Sequence, residues 1–154
     1  MPQSWTARFE ELGIDLPPVA APVASYIPAS RVGNQVWTSG QLPLVSGELT
    51  AAGHVGAEVS SEEAVAAART AFLNALAAVD SVAGLNSIER IVKITGFVNS
   101  ASGFTAQPAV VNGASDLAGE IFGDAGEHVR SAVGVAELPK NAPVEVELIV
   151  EVSD

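Results

Sequence analysis

A chain of 154 residues has room for one domain with a proper core, and 48% hydrophobic residues exclude a disordered chain. Its formal charge of -11 comes from 18 acidic and 7 basic residues, the basic ones scattered singly, so nucleic acid and anionic membrane are poor partners. There is no cysteine, which excludes disulfides, thiolate catalysis and Cys-ligated zinc.

Met1-Pro2-Gln3-Ser4 has no basic segment leading into an apolar one, so no signal peptide is expected. The apolar stretch over residues 16–24 is short and broken by Pro17, Pro18 and Pro22, too broken to cross a bilayer. A cytoplasmic protein that uses no membrane is the default expectation. Ser4 can cap a short helix with Trp5, Phe9 and Leu12 on one face, ended by Gly13. The prolines then force an extended connector, so residues 1–23 form an extension packing on a main body.

Strands are expected from about Tyr26. Val32-Gly33-Asn34-Gln35 predicts a two-residue hairpin turn between residues 30–32 and 35–38. Gly33 and Gly40 read as turn glycines, and Ser46-Gly47 marks a second turn. Ser60 with Glu63 forms a capping box, and Val65, Ala68, Phe72, Leu76 and Val79 follow at helical spacing up to Gly84. A helix with one apolar face needs a sheet to cover.

Residues 88–98 form a strand rich in β-branched side chains. Pro108 fits the first turn of a second helix reaching Phe122, with Val111, Ala114, Ala118 and Ile121 inward. Residues 131–135 make a short strand, Pro139-Lys140-Asn141 a turn, and residues 144–152 a last strand. In that strand Val144, Val146, Leu148 and Val150 alternate with Glu145, Glu147 and Glu151. The order predicts one α+β domain over 1–154, a sheet with two helices on one face.

No phosphate loop, metal motif or hydrolase elbow is present. His54 reads as a surface loop residue. His128 stands two residues before Arg130.

Three segments together resemble the RidA/YjgF family: Tyr26 through Val36-Trp37-Thr38-Ser39-Gly40-Gln41-Leu42-Pro43; Ile91-Val92-Lys93-Ile94-Thr95-Gly96-Phe97-Val98; and Arg130-Ser131-Ala132-Val133-Gly134-Val135-Ala136-Glu137-Leu138-Pro139 followed by Val144-Glu145-Val146-Glu147. The resemblance covers residues 26–152. It implies a chorismate-mutase-like (YjgF-type) α+β subunit with a mixed sheet, three copies closing into a homotrimeric barrel with clefts between neighbours. It further implies hydrolysis of 2-enamino or 2-imino acids to 2-keto acids and ammonia, with no metal and no organic cofactor. Carried over residue by residue, Arg130 matches the carboxylate-binding arginine and Glu145 the acidic residue that attends the attacking water. Tyr26, Ser39 and Asn112 match the polar residues of the cleft.

This sequence departs from the family pattern at several points. Ala132 stands where many members have cysteine, Ala24-Ser25 precede the tyrosine in place of Gly-Pro, and the loop before Asn112 is longer. On residue type alone the alternatives stay open. Arg130 could belong to an interface ion pair, Glu145 to a solvated acidic face, Ser39 to a strand end, and Tyr26 to packing. A non-catalytic trimer that binds or senses a small carboxylate is the rival reading. Ribonuclease activity is opposed by the charge and by the lack of a basic or aromatic platform.

Overall fold

The computed structural model describes residues 4–154. Helix α1 spans Trp5–Leu12. The Ser4 hydroxyl accepts the Ala7 N–H, and Gly13 ends the helix in a left-handed conformation. α1 packs against the third helix and the segment just before Ile88. The Trp5 indole N–H donates to the Ile88 carbonyl at 2.7 Å, and its ring meets Phe122 edge-on at 4.7 Å.

β1 (Ala29–Val32) and β2 (Gln35–Thr38) pair as the predicted hairpin, with Gly33 at φ +61° supplying the positive angle at the first turn position. β1 begins three residues later than Tyr26, just beyond Pro28, whose nitrogen has no hydrogen to give to a ladder. A small β3–β4 hairpin follows (Leu44–Val45 and Glu48–Leu49).

α2 (Ser61–Ala83) opens on the predicted capping box, both of whose hydrogen bonds form. By length and composition this helix could cross a membrane, but most of its apolar side chains are packed inside the fold. Its burial is wider than one stripe: Ala64, Ala67, Ala71, Ala75 and Ala78 are buried beside Phe72 and Leu76, because a second helix packs on its flank. Buried Asn74 donates to the Leu42 and Leu44 carbonyls, which ties the strand-end loop to the helix.

β5 (Ile88–Asn99), α3 (Gln107–Phe122), β6 (Val129–Val135) and β7 (Val144–Val152) complete the chain. The main sheet runs β1-β2-β7-β5-β6, with β5 and β6 parallel and the other pairs antiparallel. It is the mixed sheet of an α+β fold. β7 alternates throughout as its sequence requires: Val144, Val146, Leu148, Val150 and Val152 are buried under the helices, and Glu145, Glu147, Ile149 and Glu151 face away.

Two glycines set the spacing of the layers. A Cβ on Gly113 of α3 would lie 2.1 Å from the Val65 carbonyl of α2, and one on Gly96 would strike Val111. The helices therefore meet backbone to backbone. Among the described residues, no helix covers the opposite face of the sheet. That face presents Trp37, 51% exposed, and Val129, 65% exposed, together with Val32 and Val133.

Candidate functional site

The structure gathers the residues singled out in the sequence into two groups that do not meet within one chain. Tyr26, Ser39 and Glu145 line one cavity of about 380 Å³ where β2 ends and β7 begins. Residues 20–23 of the extended connector, with Leu42 and Leu44, form its apolar walls. That wall went unrecognised in the sequence, where the prolines signalled only an extended path.

Glu145 is half-buried, and no hydrogen-bond partner or cation meets its carboxylate among the described residues. Burial, and then the charge of Glu147 two residues along the same face, raises its pKa above the usual carboxylate range. Its place depends on Gly40: a Cβ there would sit 2.7 Å from the Glu145 carboxyl carbon. Gly40 is therefore more than a turn residue, because its missing side chain is the space the carboxylate occupies. The Ser39 hydroxyl donates to the Ile27 carbonyl at 2.5 Å, which holds the loop after Tyr26 against the end of β2. The Tyr26 hydroxyl accepts the Val23 N–H at 3.3 Å and so ties the connector to the cavity rim.

Arg130 and Asn112 form the second group, and neither lines that cavity. Arg130 lies opposite buried Ile94 in the β5–β6 register, and so projects on the helix-covered side of the edge strand while Glu145 projects on the uncovered side. Its Nη1 donates to Asn112 Oδ1 at 2.8 Å and to Ser115 Oγ at 3.2 Å, and its Nη2 to the Pro108 carbonyl at 3.3 Å. Of five guanidinium donors, Nε–H and one Nη2–H have no partner among the described residues. These two nitrogens share one edge of the fork, the geometry that takes a carboxylate bidentately.

His54 is held in its loop. Its Nε2 meets the Ala136 carbonyl at 2.9 Å, and Glu58 Oε1 stands 3.6 Å from Nδ1. The Ala136 carbonyl foremost, then the Glu137 and Glu58 charges, raise its pKa against an opposing effect of burial.

The fold and the residue groups together define a class of small α+β subunits, and comparison with known proteins places the chain within it. The profile of the family described as YjgF/chorismate mutase-like, putative endoribonuclease, matches residues 6–152. The chain is 43% identical to Protein TCP17 of Trypanosoma cruzi, over 96% of this chain and 94% of that one. It is 34% identical to a 2-iminobutanoate/2-iminopropanoate deaminase of Dermatophagoides farinae, over 89% and 93% of the two chains. A crystal structure of a putative endoribonuclease from Shewanella oneidensis superposes with a TM-score of 0.93 at 38% identity, covering 97% of this chain and all of that one. The chain belongs to the RidA/YjgF family.

Proposed function

We propose that this protein is a cytoplasmic homotrimer that hydrolyses small 2-imino or 2-enamino acids to 2-keto acids and ammonia, with Arg130 and Glu145 acting in one cleft from neighbouring subunits. The observation that carries this reading is the separation of the two groups. A cavity with an unpartnered carboxylate lies on one side of the sheet, and an arginine with a free fork edge on the other. A second copy of the chain would complete each one. The uncovered sheet face with exposed Trp37, Val32, Val129 and Val133 supplies apolar surface for such an assembly.

In this mechanism Arg130 holds the substrate carboxylate and fixes the imine carbon against the cavity. A water beside Glu145 attacks that carbon, its oxygen forming the new C–O bond while its proton passes to the carboxylate. The tetrahedral intermediate then collapses to the keto acid as the nitrogen takes protons and leaves as ammonia. Burial, and then Glu147, raise the Glu145 pKa, which makes the carboxylate a stronger base for that proton than an exposed glutamate. Tyr26, Ser39 and Asn112 line or brace the cleft, no metal or organic cofactor is needed, and nucleic acid and membrane are not partners.

The test generates 2-imino acids from a panel of amino acids with an amino-acid oxidase and traps the survivors with semicarbazide. Wild type should suppress the trapped product, and Arg130→Ala should not. Equal turnover by Arg130→Ala would overturn the reading.

A second reading, a trimer that binds or senses a small carboxylate without turnover, draws on Ala132 and on a Ser39 hydroxyl already committed to the Ile27 carbonyl. Tight binding of 2-oxobutanoate with no imine hydrolysis would favour it.

A further inference from the structure

Behind Arg130 runs a chain of polar groups that the proposed reaction does not use. His128 is part-buried just before β6. Its Nδ1 lies 2.6 Å from the Gly126 carbonyl, an atom that can only accept, so Nδ1 carries the hydrogen. In the neutral imidazole Nε2 is then an acceptor, to which the Ser115 hydroxyl 2.9 Å away donates. With its one hydrogen spent, Ser115 Oγ turns its lone pairs outward and accepts from Arg130 Nη1. Asn112, one helical turn earlier on the same face of α3, accepts the second Nη1 hydrogen. With the imidazole neutral, every polarity along the path from Gly126 to Arg130 follows from the one before it.

We infer that Ser115 and His128 are positioning residues which fix the rotation of the Arg130 guanidinium and keep its Nε–Nη2 edge open to the substrate carboxylate. Gly126 holds the far end still: a Cβ there would stand 2.3 Å from the Ala118 carbonyl, so the loop is seated directly on α3. A serine free to rotate would present either a hydrogen or a lone pair to the arginine. A serine committed to His128 presents only the lone pair. The relay thus removes an alternative pose in which the fork edge turns away from the cleft.

The inference rests on the reading of Arg130 as the carboxylate anchor, and its test separates the two. Ser115→Ala, a change that favours the helix, and His128→Ala are made alone and in an Arg130→Ala background. KM and kcat for 2-imino acids and the affinity for 2-oxobutanoate are measured on the assembled protein. Each single variant should raise KM and weaken 2-oxobutanoate binding by about tenfold, with kcat within about threefold, as expected where binding is lost from ground and transition states alike. Ser115→Thr, which keeps the hydroxyl, should restore both, and in the Arg130→Ala background Ser115→Ala should have no further effect. Wild-type KM and affinity in both single variants, while Arg130→Ala loses them, would overturn the relay and leave the anchor standing. An unchanged Arg130→Ala, or a wild type that neither turns over imino acids nor binds 2-oxobutanoate, would overturn the anchor and the relay together.

Discussion

Around Arg130, three guanidinium donors, the Ser115 hydroxyl and both His128 nitrogens find partners on α3 or in the loop behind it. α3 in turn is seated on α2 by an approach that leaves no room for a Cβ at Gly113. Around Glu145 the walls are loops and an irregular connector, the carboxylate has no partner among the described residues, and Tyr26 and Ile27 are exposed. On the proposed reading, a group that has to present one fixed geometry to a planar carboxylate is braced from behind, and a group that has to exchange protons with water is given space and a poorly solvated setting instead. The two halves demand different kinds of scaffold, and the fold supplies each where its backbone permits.

The largest effect tests whether the halves come from different subunits. Arg130→Ala and Glu145→Ala should each lower imine turnover by on the order of 100-fold or more. Unfolded together and refolded as mixed trimers, they should regain about a quarter of wild-type activity, because one neighbour then supplies the arginine and the other the glutamate. No recovery would place both groups in one subunit and break the comparison.

Gly113→Ala probes the braced half. Its methyl group must push α3 off α2, with a loss of about 1–3 kcal/mol in denaturant unfolding. The open half is probed by Gly40→Ala, whose methyl meets only a movable side chain. It should leave unfolding nearly unchanged while displacing the carboxylate and cutting kcat/KM by about tenfold, roughly 1.4 kcal/mol.

The smallest effect is in pH. The folded protein binds a proton at Glu145 more tightly than the unfolded chain does, so stability is lost as pH rises through the raised pKa. Glu145→Gln should therefore melt at a higher temperature than wild type at pH 7.5. That advantage should vanish below a pH of about 4, where both forms of the wild type are protonated.

Much of the fold was legible because it is written in short-range chemistry. The Ser60–Glu63 box, the Gly33 turn and the Val/Glu alternation of β7 each need only a few neighbouring residues, and each formed as expected. The family too could be recognised from three ordered motifs. The breadth of α2 burial, the Asn74 tie and the connector's place on the cavity wall could not be read in this way, since each depends on segments that meet only after folding. Gly40 looked like any glycine after a strand. Its meaning lies 105 positions away, in the carboxylate of Glu145. The sequence pointed to Arg130 but not to its direction, which is set by the α3 face that carries Asn112 and Ser115.

The strand order carries a consequence for synthesis. β7 lies in the middle of the sheet and joins the β1–β2 hairpin to the β5–β6 pair, yet in chain order it follows the other four strands of that sheet. A ribosome delivers the flanking strands first and the keystone last. Until β7 emerges, the hairpin and the parallel pair have no hydrogen-bonding edge in common, and Ile91 and Ile94 lack the strand that completes their layer. Nascent chains stalled before residue 144 should thus remain protease-sensitive, and the sheet should close in one late step.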